Sequence, residues 1–296
     1  MPVIEMISEM LSFTFMQRAI IVGLLVSLCA ALLGVNLVLK RYAMIGTALS
    51  HVGFGALAIA GGLDIFLSYL GFDATAISNV TNLAPLAISM PVVVGAAFLL
   101  LRMSENSKVK GDSAVALVST SSLAIGVIVV SLTTGLTLHI CNVMFGSIFA
   151  MTQADMYLSI ALSVAVISIF VLFYKQLFAV TYDESFAKAT GTKVGIHKSL
   201  LAILTAVTVV LGMRMMGAML IAALTIFPAL SAMRLCKRFL SVVITAAIIG
   251  VTCFFIGMVF SFWYDLPPGA SVVGVNLVVF GAFSIIGIVR QGGIKA

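Results

Sequence analysis

The residue whose type and position best suit chemistry is His51, which lies inside a long apolar stretch at 43–63. An ionisable side chain in such a stretch is costly in lipid and usually faces a cavity or a partner. Imidazole is also the commonest protein ligand for first-row divalent metals. Helical spacing would place Thr47, His51 and Gly55 on one face. We predict that this face lines a pathway, and the alternative is a neutral histidine bonded to a neighbouring helix.

Two further residues are candidates for a gate or a helix kink. Pro228 lies inside the apolar run MLIAALTIFPALSAM, where it removes a backbone hydrogen bond and tends to kink a helix. Asp265 opens the turn DLPPG, whose proline and glycine residues favour a sharp change of direction. The alternatives are plain packing for Pro228 and a solvated carboxylate for Asp265.

The sequence carries no recognisable enzyme motif. It contains neither HExxH nor GxSxG, and the run GTKVGIHKS at 191–199 does not have the spacing of a phosphate-binding loop. We therefore expect no catalytic residues, no permanently bound cofactor and no ATP hydrolysis on this chain.

The elements that must position these residues are membrane helices. Hydrophobic residues make up 62% of the chain and charged residues only 9%, whereas soluble domains carry about a quarter charged residues. The two runs beside Arg214 are either two spans or one partly crossing hairpin. The prediction is an all-α, polytopic transmembrane bundle of eight to nine segments, one domain over 1–296, with 1–17 as an amphipathic surface helix. The apolar runs fall at 19–39, 43–63, 84–101, 113–134, 156–174, 199–213, 215–233, 239–263 and 271–289.

The positions of the basic residues predict the orientation. With nine alternating spans and Lys40 inside, all of the 16 Lys and Arg residues except Arg18 and Arg214 lie on the inside. Such a bias is typical of multi-pass proteins, so the net charge of +6 indicates a lipid bilayer rather than a nucleic acid as partner. The N-terminus is predicted outside and the C-terminus inside.

The longest inside segment, 175–198, is predicted to be a loop that carries one short helix at about 182–190. Thr181 and Glu184 have the spacing of a capping box, and Gly191 is suited to end the helix.

Several blocks of this sequence resemble the permeases of zinc, manganese and iron ABC importers. They are FMQRAIIVGLLVSLCAALLGVNLVLKRYAMIGTALSHVGFGALA at 15–58, FGSIFAMTQAD at 145–155, YDESFAKATGTKV at 182–194, and MGAMLIAALTIFPALSAMRL followed by the DLPPGASVV turn.

The resemblance implies a homodimer or paired permease in a prokaryotic plasma membrane. Cytoplasmic ABC ATPase subunits would use ATP, and an extracytoplasmic metal-binding protein would deliver zinc or manganese for import by alternating access. The 182–190 helix resembles the coupling helix of the family. The residues that this likeness assigns to ATPase coupling are Asp183, Glu184, Phe186, Ala187, Ala189 and Gly191.

One position departs from the family pattern. The family usually has an aspartate four residues before the histidine, and this sequence has Thr47 there. A hydroxyl is a poorer ligand for a divalent cation than a carboxylate. Three alternatives stay open: a carboxylate from Asp64 or Asp265, a more weakly held ion, or a chelated metal or other substrate. An ion-coupled secondary transporter is disfavoured, because the cores of the spans contain no Asp or Glu.

Overall fold

The computed structural model describes residues 3–40, 42–69, 84–106, 111–132 and 153–292, and within these ranges every regular element is a helix. This confirms the all-α prediction. The helices, in chain order, are α1 (Val3–Ser12), α2 (Thr14–Leu39), α3 (Ala43–Tyr69), α4 (Ala84–Asn106), α5 (Gly111–Leu132), α6 (Gln153–Leu172), α7 (Tyr174–Tyr182), α8 (Glu184–Ala189), α9 (Val194–Met216), α10 (Ala218–Leu235), α11 (Phe239–Tyr264) and α12 (Pro268–Gly292).

Eight of the described helices are long and apolar enough to cross a membrane, and α4 adds a shorter apolar stretch, Ser89–Leu100. This agrees with the predicted eight to nine segments. The helices on either side of Gly217, α9 and α10, each reach crossing length. Gly217 alone separates them and has a φ of 91°, a left-handed value that glycine adopts without strain. Two separate spans are therefore favoured over a partly crossing hairpin.

Helix α2 lies at the centre of the bundle. It is the most buried of the membrane-length helices and packs against α3, α6, α9, α10 and α11. Its apolar side chains, including Val22 and Val26, join a core cluster with Phe254 of α11. Any movement of α2 must therefore be accommodated by most of the bundle.

Small residues allow the helices of this centre to approach closely. A Cβ atom added at Gly34 of α2 would collide with the backbone carbonyl oxygen of Thr225 in α10. A Cβ added at Gly46 of α3 would lie 3.0 Å from the Thr225 hydroxyl oxygen. Helices α2, α3 and α10 thus meet around Thr225.

Replacing Gly34 with alanine is expected to destabilise the protein by about 1–3 kcal/mol, because a backbone carbonyl cannot turn aside as a side chain can. Thermal unfolding in detergent measures the effect. Gly95→Ala is the matched control, since nothing lies within 4 Å of a Cβ at Gly95. If both variants unfold at the same temperature, the close crossing of α2 and α10 is wrong.

Two predicted segments differ from the structure. The surface helix predicted at 1–17 is α1, which ends at Ser12, and α2 begins at Thr14. The segment 175–198, predicted as a loop with one helix, consists of α7, α8 and the start of α9. Only Asp183 separates α7 from α8, so the helix expected at 182–190 is shortened to Glu184–Ala189.

Candidate functional site

His51 lies half-buried on α3, where its ring contacts α5. The Nδ1 atom of His51 is 2.6 Å from the hydroxyl oxygen of Ser119. A hydrogen bond through one ring nitrogen fixes the orientation of the imidazole and leaves Nε2 as the atom to coordinate a metal. The same contact is the helix-to-helix bond that the alternative interpretation expected. Geometry alone therefore permits both roles for His51.

A small hollow opens between α3, α4 and α5, beside the same pair of helices. Gly55 follows His51 by one helical turn and lines this hollow, as does Ser122, which follows Ser119 by one turn. The side chains of His51 and Thr47 are not part of its lining. The remaining lining residues are Val52, Ala56, Ile59, Val92 and Ile125.

The predicted partners of His51 do not complete a metal site in the part of the chain that the structure describes. No group of three or more His, Cys, Asp or Glu residues there could hold a metal ion. Asp265 is exposed as the left-handed C-cap of α11, with a φ of 52°, a conformation that Asp adopts more readily than most residues. The side chain of Asp64 lies outside the described residues. Thr47 is half-buried one turn before His51.

Pro228 is buried within the continuous helix α10. A Cβ added at Gly250 of α11 would lie 3.6 Å from the Pro228 ring. Three residues before Pro228 is Thr225, at which α2, α3 and α10 meet. Pro228 thus lies one turn from the close contact between α2 and α10 at Thr225, and its role in a gate stays a prediction.

The short helix α8 begins at an Asp183 cap. The Oδ1 atom of Asp183 accepts hydrogen bonds from the backbone N–H groups of Ser185 at 2.9 Å and Phe186 at 3.0 Å. The capping box predicted for Thr181 and Glu184 is wrong. Thr181 lies inside α7, and its hydroxyl donates instead to Oδ1 of Asn36 in α2 at 3.1 Å.

The predicted end of α8 at Gly191 is confirmed. Gly191 has a φ of 82°, and its N–H donates to the carbonyl oxygen of Lys188 at 3.1 Å. The N–H of Thr192 donates to the carbonyl oxygen of Ala187 at 3.0 Å. These two bonds form a Schellman motif, in which a left-handed glycine closes the helix.

The two faces of α8 have different environments. Ala187 is fully buried against Val180 and Val194, so it seats the helix on the protein rather than reaching a partner. On the other side Phe186 is 63% exposed and the preceding Tyr182 is 81% exposed. Asp183, Ala189 and Gly191 are also exposed. This face therefore leaves two aromatic side chains exposed.

Glu184 lies between two lysines from different membrane helices. Its Oε1 is 3.2 Å from Nζ of Lys40, and its Oε2 is 2.7 Å from Nζ of Lys198. Partial burial raises the pKa of the Glu184 carboxyl, but hydrogen bonds and charge from Lys198 and Lys40 outweigh this and hold the pKa below its usual range. In the sequence these lysines indicate only the orientation of the spans, because Glu184 is remote from Lys40 along the chain.

Comparisons with known proteins cover almost the whole chain. A sequence model described as the ABC 3 transport family matches residues 12–287. The manganese transport system membrane protein MntC of Halalkalibacterium halodurans is 28% identical over 272 residues, 92% of this chain and 87% of its own. The manganese import system permease protein ScaB of Streptococcus gordonii is 26% identical over 93% of this chain and 92% of its own. The structure of PsaBC from Streptococcus pneumoniae in complex with Fab superposes with a TM-score of 0.78, 25% identity and 94% coverage of both chains.

Proposed function

Because this chain belongs to the ABC 3 transport family, we propose that it is the permease that carries manganese inward in an ATP-driven importer. It is a multi-pass membrane transport subunit rather than an enzyme. The family match over residues 12–287 carries the transport role, and the relatives that are named as manganese permeases support metal import. The manganese names of MntC and ScaB favour manganese as cargo, with zinc as the second candidate.

The environment of His51 supports a transient rather than a permanent metal site. A transported ion must bind well enough to enter and weakly enough to leave. One imidazole, with the hydroxyl of Thr47 one turn away, offers fewer and weaker ligands than a storage site. We propose that Nε2 of His51 contacts the ion as α3 and α5 rearrange to open the pathway first outward and then inward, in alternating access.

The exposed face of α8 supports contact with a separate ATPase. A short, capped helix with Phe186 and Tyr182 exposed presents aromatic anchors, which are enriched among the residues that dominate interfaces. The low burial of α5 and α12 leaves apolar faces for lipid or for a second permease copy. We propose a paired permease, cytoplasmic ABC ATPases and an extracytoplasmic metal-binding protein in a prokaryotic cytoplasmic membrane.

Metal accumulation in cells tests this assignment of cargo. The chain would be expressed with its candidate ATPase and binding protein in a bacterium stripped of its own manganese and zinc importers. Elemental analysis is expected to show restored cellular manganese, with less effect on zinc. A matched strain that expresses an ATPase unable to hydrolyse ATP should show no gain. Restored zinc without manganese would overturn the cargo, and no gain of either metal would contradict the importer.

Thr47 favours a second candidate cargo, a chelated metal, because the carboxylate that would suit a bare cation is replaced by a hydroxyl. A Thr47→Asp variant decides between the two. If Thr47 faces the ion beside His51, the added carboxylate is expected to lower the KM for manganese by about tenfold, equivalent to about 1.4 kcal/mol.

The matched control for that variant is Thr47→Asn, which has a similar shape without the charge. Uptake measured across a manganese and zinc concentration series should separate the two variants. Equal kinetics for Thr47→Asp and Thr47→Asn would show that Thr47 does not contact a bare cation, and would favour the chelate.

A further inference from the structure

The triad of Lys40, Glu184 and Lys198 joins three elements that are far apart in the chain. Lys40 caps the C-terminus of α2, Glu184 begins α8, and Lys198 lies near the start of α9. The lysine side chains are only 8% and 15% exposed. The Glu184 side chain is 37% exposed, so the ion pairs are partly buried and are screened less by salt than fully exposed pairs are. The triad therefore fixes α8 to two membrane helices at once.

We propose that Glu184 is a positioning residue that makes α8 and the cytoplasmic ends of α2 and α9 move together, and so passes motion from the ATPase to the membrane helices. The proposal rests on the proposed function, in which the ATPase binds the exposed face of α8. Glu184 itself then acts through the two lysines and contacts neither ATP nor metal.

The rest of the contacts around α8 explain why this carboxylate matters. Helix α8 has six residues, and its buried contact is the small cluster formed by Ala187, Val180 and Val194. Thr181 adds a hydrogen bond to Asn36 of α2. Glu184 also forms an ion pair with Lys198 of α9. Loss of the carboxylate would weaken the attachment to both helices while leaving the Asp183 cap in place.

Two backbone hydrogen bonds link the end of α2, where Lys40 lies, to the start of the helix that carries His51. After Lys40, the N–H of Tyr42 donates to the carbonyl oxygen of Leu37 at 2.8 Å, and the N–H of Ile45 donates to Tyr42 at 2.9 Å. Helix α3 is the helix that carries His51. Helix α9 also packs against α2, α3 and α4. A displacement of α8 would thus reach the His51 helix from two sides.

The test compares the number of metal ions transported with the number of ATP molecules hydrolysed in vesicles that contain the whole transporter. For Glu184→Gln we expect the assembled complex to hydrolyse ATP within about twofold of wild type while ions moved per ATP fall by about tenfold, a size typical of energetic coupling between sites. Glu184→Asp, which keeps the charge on a shorter side chain, should give an intermediate ratio.

Glu9→Gln is the matched control, because it makes the same chemical change at an exposed position on α1, and its ratio should equal that of wild type. If Glu184→Gln does not assemble, Lys198→Gln removes one arm of the triad and must lower the same ratio. A wild-type ratio of ions moved per ATP in assembled Glu184→Gln overturns the proposal. Where Lys198→Gln is used instead, a wild-type ratio in that variant does the same. So does a parallel fall in ATP hydrolysis and transport, which indicates only a docking or folding role.

Failure of the proposed function gives a different result, since the wild-type transporter itself would then take up no metal in response to ATP. That outcome would remove both proposals. Normal uptake by the wild-type transporter, with an unchanged number of ions per ATP in the variants, would remove only the proposal about Glu184.

Discussion

Replacing His51 with alanine is expected to lower metal uptake by about 100-fold or more, while the transporter still assembles. The estimate follows from metal sites in which loss of a group that merely orients a ligand costs about 10–100-fold, so loss of the ligand itself should cost at least as much. Uptake of manganese into vesicles, normalised to the amount of assembled complex, measures the effect.

Ser119→Ala provides the comparison that separates a ligand from a helix contact. Both substitutions remove the 2.6 Å hydrogen bond between α3 and α5, but only His51→Ala removes the imidazole. A ligand role predicts that His51→Ala is the more damaging variant at equal thermal stability. Equal uptake by the two variants would assign His51 to helix packing, as would wild-type uptake by His51→Ala.

Replacing Phe186 with alanine is expected to weaken binding of the ATPase by about 2–4 kcal/mol, the range for an aromatic anchor at the centre of an interface. The Phe186 side chain is 63% exposed in the isolated chain, so its removal leaves the core intact. The backbone N–H of Phe186 still donates to Asp183, and the helix should persist. Affinity between the detergent-solubilised permease and its ATPase is the measurement.

Phe260→Ala is the matched control, because Phe260 is also a partly exposed aromatic residue. It lies near the C-terminal end of α11, whereas Phe239 at the other end contacts Phe178 of α7. Phe260→Ala should leave ATPase binding unchanged. Wild-type affinity for Phe186→Ala would show that the exposed face of α8 is not the docking surface. An equal loss for Phe260→Ala would attribute the effect to general destabilisation.

The bundle could be predicted from the sequence because membrane helices follow directly from composition. Within lipid the backbone N–H and C=O groups must hydrogen-bond to each other, so each apolar run of sufficient length becomes a helix. The end of α8 at Gly191 was likewise predictable, since a left-handed glycine is a local signal. The family followed from blocks of residues in order, and the match over residues 12–287 confirms it.

The contacts that define the site could not be predicted in the same way. Lys40 and Glu184 are 144 residues apart, and no local pattern pairs them. Ser119 is one of several hydroxyl residues in α5, and only the packing of α3 against α5 determines which of them contacts His51. The cap of α8 was misassigned because Thr181 and Asp183 both suit an N-cap. The continuation of α7 through Tyr182 places Thr181 within a helix and leaves the role to Asp183.

The most direct test of the metal-import account is ATP-dependent uptake by the purified chain in lipid vesicles. The permease would be reconstituted with its candidate ATPase and binding protein, with the ATPases accessible to added ATP, and radioactive manganese supplied on the opposite side. The account predicts accumulation against a manganese gradient only when hydrolysable ATP is present. Uptake that proceeds equally without ATP, or no uptake from a fully assembled complex, would contradict it.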